Sequence, residues 1–327
     1  MKYRAFGATG VRVSELIFGG GAVGGLLIDA DDDTKRAAIK MAIDGGINWI
    51  DTAASYGRGR SEEALGWLMA ELSPDQRPHI STKLRIERDG PGYRDQAEMA
   101  MAGSLERLGM ENVELYQLHN RIASSPDAVP GSLTPDDVLR DGGVADALDH
   151  LVAQGLTRHI GFTATGEAEA LHTIIASGRF ASAQIYYNLL NPSAGRPVSE
   201  TFTPYDQRQL IDAASEQEMA VIVIRVLAAG VIATDQRTGK EGGVVLDNDV
   251  AADEARMRKV LPLLRPEHGE RAQVAFRYAL GHPGVSGIEV GLAELEHLAL
   301  ALAAAEMGPL PEDLIAELDD LVDRDFR

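Results

Sequence analysis

Short apolar runs and longer amphipathic stretches take turns along this chain, and that alternation predicts its elements. The apolar runs are Leu16–Phe18, Ile47–Ile50, HISTKL ending at Leu84, VELYQLH ending at His119, His159–Phe162, Ala183–Tyr186, Val221–Ile224 and Ser286–Val290. The second, a short run holding a Trp, is the pattern of a parallel strand buried on both faces. Between the runs, helical spacing covers about Thr34–Asp44, Glu62–Met69, Tyr93–Leu108, Val144–Gln154, Glu167–Ser177, Pro204–Glu216, Arg271–Leu280 and Glu294–Ala304, with a last helix over Pro311–Asp325. The first dozen residues alternate and turn at GATG, a hairpin, and no later hairpin signal follows. Eight alternating strand and helix units then predict a closed parallel (β/α)8 barrel, with an N-terminal hairpin and extra C-terminal helices.

Two connections stand out by length. Residues 121–143 form a polar, Pro/Gly-rich loop after the fourth strand, and Arg225–Leu264 is longer than a plain strand-to-helix connection, which marks it as functional. A doubly wound sheet would use GGGAVGG after the first strand as a dinucleotide fingerprint and an acid at the end of the second. Asp51 stands there, but it is followed by Tyr56 on a Gly-rich loop, and the barrel is preferred.

The ends of three strands carry the chemistry. The second strand stops at Asp51, with Tyr56 on the next loop; the third delivers Lys83 and the fourth His119. Taken singly, Asp51 reads as a helix cap, Lys83 as a surface residue, Tyr56 as packing and His119 as a core histidine. At the carboxyl ends of barrel strands they read together as a reaction centre. A phenol is a poor proton donor at neutral pH, and a neighbouring ammonium lowers its pKa. Lys83 is expected to do this for Tyr56, with Asp51 holding Lys83 charged and His119 presenting a ring N–H to a substrate oxygen.

These residues, in the strings WIDTAASYG, STK and YQLHN, resemble the catalytic tetrad of the aldo-keto reductases. The likeness runs from KYRAFGATGVRVSELIFGGG to HPGVSGIEVG, so the whole chain, 1–327, is expected to form a single domain of that kind. The resemblance implies an NAD(P)-dependent oxidoreductase interconverting a carbonyl (aldehyde, ketone or sugar lactol) and an alcohol. Two other readings stay open: an NAD-dependent sugar 1-dehydrogenase, and a dinucleotide-sensing regulatory subunit that barely turns over, as the potassium-channel β subunits are on this fold.

The resemblance also implies where the cofactor lies, with Gly20 and Asp51 beside it. Thr163, Ala164 and Gln184 match the family's carboxamide-binding Ser, Asn and Gln, so the Asn amide is lost. Ile224, Arg225, Val226, Leu227 and Gly230 stand where the family has Tyr-Ser-Pro-Leu and a later Gly, so the aromatic platform is lost as well. Arg225 would reach a phosphate or form a structural ion pair. Gly291, Leu292, Ala293 and Glu294 offer no cation for a 2′-phosphate, His297 stands where Arg is common, and Leu300 and Ala301 replace a Glu-Asn pair. The cofactor is NADP or NAD, with NAD tolerated or preferred.

Composition narrows the rest. With 31 Lys+Arg against 50 Asp+Glu the formal charge is −19, which argues against nucleic-acid and anionic-membrane surfaces. The chain has no cysteine, so thiol catalysis and Cys-based metal sites are excluded. No pair among the eight histidines has a metal-ligand spacing, and the DADDD run reads as a solvated helix entrance rather than a calcium loop. Residues 16–28 carry five glycines after Glu15, which does not suit a secretory segment, and a cytoplasmic protein acting on a small carbonyl or sugar substrate is expected.

Overall fold

The computed structural model describes residues 1–21, 23–237, 239 and 249–327. A hairpin of β1 (Tyr3–Ala5) and β2 (Arg12–Ser14) precedes β3 (Leu16–Gly19), β4 (Trp49–Asp51), β5 (His79–Leu84), β6 (Val113–Leu118), β7 (Thr157–Ala164), β8 (Ser182–Tyr186), β9 (Ala220–Ile224) and β10 (Gly287–Gly291). The last eight close into a parallel barrel in chain order, β10 pairing back onto β3 with Gly291 opposite Gly19. Helices α1 (Leu26–Asp29), α2 (Asp32–Asp44), α3 (Arg60–Ala70), α4 (Tyr93–Leu108), α5 (Pro135–Leu139), α6 (Val144–Ala153), α7 (Ala168–Ala176), α8 (Leu210–Glu216), α9 (Val250–Val260), α10 (Arg271–Gly281), α11 (Leu295–Met307) and α12 (Glu312–Asp323) fill the connections and the C-terminal end. This is the (β/α)8 barrel expected from the alternation.

Strand side chains alternate between the lumen and the helices. The amino end of the lumen is apolar: Ile17, Trp49, Leu115, Ala220 and Ile222 pack with Phe6 and Val13 of the hairpin. Phe6 stacks on Trp49 at 4.6 Å between ring centroids, so the hairpin plugs that end. Two residues further along the strands the lumen turns polar, with Asp51, Lys83, Gln117 and Gln184 all buried. Buried polar groups require partners, so the plugged floor confines the chemistry to the carboxyl end.

The acidic entrance of α2 is a cap: the Asp31 carboxylate accepts from the Thr34 backbone N–H at 2.8 Å. Among the described residues no group of three or more acidic, His or Cys side chains is arranged to hold a metal. No helix among them is long and apolar enough to cross a membrane.

Two expectations shift, and a third holds within its bounds. The helix expected over Pro204–Glu216 begins only at Leu210, because Arg208 and Gln209 take left-handed backbone, φ 51° and 58°. The loop 121–143 carries α5, begun by a capping box between Thr134 and Asp137. Within the long connection Arg225–Leu264, α9 starts at Val250, and residues 240–248 lie outside the described ones.

Candidate active site

Asp51 ends β4, Lys83 lies next to last on β5, and His119 follows β6, so adjacent strands bring the three to one end of the lumen. Tyr56 reaches them from a turn whose backbone is left-handed at Gly57, Arg58 and Gly59 before α3 begins. The Lys83 ammonium has three donors. One goes to Asp51 Oδ2, one to the Thr52 carbonyl at 2.9 Å and one to the Tyr56 hydroxyl at 3.2 Å. His119 sets its ring edge-on to Tyr56 with centroids 5.9 Å apart. The four residues named from the sequence are therefore one cluster. Beside them opens a cavity of about 350 Å³, lined by Ser55, Lys83, Arg85, Met99 and His119 among others.

The electrostatics differ from the expectation in one respect. Burial works against a charged Lys83, yet Asp51, Tyr56 and Glu289 outweigh it and raise the ammonium's pKa. Burial, then Lys83 and Arg85, hold His119 well below the usual histidine range, so its ring is neutral and keeps one N–H to donate. Tyr56 was expected to be lowered by Lys83; instead its pKa is pushed up to about 12. Lys83 does pull it down, but burial outweighs that pull, with Glu289 and Asp51 adding to burial. Two carboxyls face one ammonium here.

Three members of the cluster escaped the sequence reading. Ser81 donates to Asp51 Oδ1 at 2.6 Å and Gln117 donates to the same oxygen at 3.0 Å, leaving Oδ2 to Lys83. Glu289 of β10, two strands from β4, enters the lumen and accepts from Gln184 Nε2 at 3.2 Å. The signal for all three is strand alternation: Ser81 precedes Lys83 by two, Gln117 precedes His119 by two, and Glu289 stands between Gly287 and Gly291.

The expected cofactor residues divide. Thr163 and Gln184 are register partners on β7 and β8, a hydroxyl and an amide at one level, and that donor set fits a nicotinamide carboxamide. The Thr163 hydroxyl donates to the Leu118 carbonyl at 3.2 Å, and Ala164 is buried without a polar side chain to add. Gly20 is closed in by the site, its N–H donating to the Asp51 carbonyl at 2.8 Å and its carbonyl accepting from Ser61 Oγ at 3.0 Å.

Beyond β9, Ile224 is half-buried, and Arg225, Ala228 and Ala229 take left-handed backbone, leading to Gly230 at φ 100°. The Leu227 carbonyl accepts from Gly230 and Ile232 within that turn. Arg225 is half-buried as a residue, its Nε and Nη1 fully so, with Tyr186 of β8 and Asp253 of α9 as electrostatic partners, and burial lowers its pKa. Beyond β10, Gly291 and Glu294 are exposed or partly so, while the Leu292 carbonyl accepts from the Leu26 N–H at 3.1 Å. His297 Nδ1 accepts from the Ala293 N–H at 3.4 Å, just ahead of α11. Ala301 is fully buried on the packed face of α11.

Against known proteins, the Aldo/keto reductase family matches residues 15–323. The chain is similar to aldo-keto reductase YhdN of Bacillus subtilis (strain 168), 25% identical over 301 residues, 87% of this chain and 82% of that one. It is also similar to D-threo-aldose 1-dehydrogenase of a Pseudomonas species, 28% identical over 262 residues, 71% of each chain. The holo form of aldo-keto reductase AKR11C1 from Bacillus halodurans shares the fold, with a TM-score of 0.74 at 20% identity over 98% of this chain and 96% of that one. The family match takes in all eight barrel strands and the helices that follow them, and the chain belongs to the aldo/keto reductase family of NAD(P)-dependent oxidoreductases.

Proposed function

We propose that this chain interconverts a carbonyl group and an alcohol, with Tyr56 giving or taking the proton on oxygen, and that it accepts NAD at least as readily as NADP. The observation that carries the reading is the Tyr56 hydroxyl 3.2 Å from an ammonium that Asp51 and the Thr52 carbonyl hold in place, beside His119 and an open cavity. A bound nicotinamide dinucleotide supplies or takes up the hydride, chemistry that no side chain offers.

In reduction the substrate oxygen gains negative charge, and Tyr56 transfers its proton there. Lys83 stabilises the phenolate left behind, and Asp51, braced by Ser81 and Gln117, keeps Lys83 from swinging away. His119, neutral, donates its ring N–H to the same oxygen and fixes its direction. In oxidation Tyr56 takes the alcohol proton instead. Thr163 and Gln184 are the groups that would hold the carboxamide.

A hydroxylated substrate is favoured by the polar wall of the cavity, where Ser55 and Arg85 stand with His119, and by the likeness to an aldose dehydrogenase. The test is titration with NADH and NADPH separately, then a screen of aldehydes, ketones and sugars with the better cofactor, Tyr56→Phe serving as control. Tight dinucleotide binding with no turnover of any substrate would overturn the enzyme reading in favour of a dinucleotide sensor.

A further inference from the structure

An ionisable side chain inside a barrel lumen needs a reason, and Glu289 has no role in the reaction as described. Its strand reads GIEVG, with Ile288 and Val290 buried toward the helices and Glu289 alternating inward. The side chain lies over Gly19 of β3, where even a methyl group would stand 3.1 Å from its Cγ and Oε1. Gln184 donates to one of its oxygens at 3.2 Å, and Gly19, against which it lies, is the register partner of Asp51, so the two carboxyls share one level of the lumen. Lys83 spends its three donors on Asp51, Thr52 and Tyr56, which leaves Glu289 an amide partner and no ammonium donor. The charged or titratable groups that face Glu289 are Asp51 from β4 and Lys83 from β5, with Tyr56 beyond Lys83; β8 presents the neutral Gln184, β3 the bare Gly19, and β9 is apolar throughout.

We infer that Glu289 is a positioning residue of this site: it keeps its own proton beside Asp51, holds the Gln184 amide, and on losing that proton keeps the Tyr56 hydroxyl protonated. The physical basis is charge balance. While Glu289 holds its proton, the two carboxyl groups together carry a single negative charge, that of Asp51, which Lys83 neutralises. When base removes that proton to solvent, a second negative charge faces the same ammonium, and formation of a phenolate at Tyr56 becomes harder. Glu289 thus opposes Lys83, and its state tilts Tyr56 toward proton donor. Burial and the neighbouring Asp51 raise the Glu289 pKa to about 8, which puts the change in the working range of an enzyme.

The sign of the stability effect follows. The folded state keeps a proton that the unfolded chain releases above the ordinary value of 4.5, so stability falls as pH rises from there to about 8. Glu289→Gln keeps shape and neutral hydrogen bonding without the titration, and its unfolding midpoint does not fall through that window.

The decisive experiment uses the full-length protein without cofactor, labelled with carbon-13 at the tyrosine ring Cζ, with the Tyr56 resonance assigned by its loss in Tyr56→Phe. The wild-type resonance should inflect near pH 8, well before Tyr56 itself ionises. In Glu289→Gln the inflection should vanish and Tyr56 should ionise about one pH unit lower; Glu289→Asp should retain the inflection. A wild-type resonance that is flat near pH 8, or an inflection that persists in Glu289→Gln, overturns the inference. In turnover, the alkaline limb of reduction should move to lower pH in Glu289→Gln; a uniform drop in kcat at an unmoved limb would show a structural role only. This second arm rests on the proposed function. If no carbonyl substrate turns over, that function falls, while the resonance still decides the role of Glu289.

Discussion

The two sides of the barrel mouth are held in different ways. On β4, β5 and β6 the polar groups are buried and interlocked: Asp51 accepts from Ser81, Gln117 and Lys83, and Lys83 spends all three donors on Asp51, Thr52 and Tyr56. Beyond β9 and β10 the chain runs through left-handed residues at Arg225, Ala228 and Ala229, then past an exposed Gly291 and Glu294. A buried charge stripped of its partners costs several kcal/mol, so the first side tolerates few alternatives. A solvated rim carries no such penalty.

The sharpest way to test this contrast is to remove the phenol. Tyr56→Phe deletes one hydroxyl and leaves the rim untouched, so kcat should fall about 10²–10⁴-fold, the usual contribution of a positioned acid. Dinucleotide affinity, measured by fluorescence titration, should stay within a few-fold. Wild-type turnover in this variant would sink the assignment of Tyr56.

Lys83→Met tests the interlock itself. It leaves Asp51 and Glu289 buried without their ammonium, and breaking a buried pair costs about 3–5 kcal/mol. Urea denaturation should show that loss. Lys83 is also the group that draws the Tyr56 pKa down, so in any residual activity the limb set by Tyr56 should move to higher pH. An unchanged pH profile at normal rate would show that Lys83 has no part in the chemistry.

The interlocked side was largely legible in the sequence and the rim was not. Buried parallel strands announce themselves as apolar runs, and Asp51, Lys83 and His119 each sit where such a run stops. What pattern reading missed there was burial and partnership at long range: Lys83 was seen beside Tyr56, but burial outweighs its pull and a second carboxyl arrives on β10, far along the chain, so the direction of the Tyr56 shift came out reversed. On the rim the obstacle was the backbone. Arg225, Ala228 and Ala229 reverse their φ without the glycine or asparagine that usually signals such a turn. The short α1 and α5 were unread because single turns carry too few residues to show a period.

Two glycines give the contrast a stability readout. A Cβ on Gly20 would stand 2.8 Å from Ser61 Oγ and 3.1 Å from the Asp51 carbonyl, whereas one on Gly291 would meet nothing within 4 Å. Gly20→Ala should therefore cost about 1–3 kcal/mol by overpacking, and Gly291→Ala should stay within about 0.5 kcal/mol. Equal midpoints in chemical denaturation would mean that the two sides are equally loose.

The smallest expected effect concerns the dinucleotide, where the rim has most freedom. Discrimination for NADPH over NADH needs a cation against the 2′-phosphate, and a hydrogen bond to a charged group contributes about 1.5–3 kcal/mol. Residues 291–301 contain no Lys or Arg, one His and two Glu. The His297 ring is turned to the Ala293 N–H, and Glu294 would repel a phosphate in a chain already at −19. Arg225 is the nearest basic candidate from β9, and its electrostatic partners Tyr186 and Asp253 draw it toward α9. The two cofactors should therefore bind with comparable affinity or with NADH the tighter, and His297→Arg should shift the ratio toward NADPH. A dissociation constant for NADPH more than about tenfold below that for NADH, about 1.4 kcal/mol, would refute this. Arg225→Ala would then tell whether that guanidinium leaves Asp253 to meet the phosphate, since only in that case would the preference disappear with it.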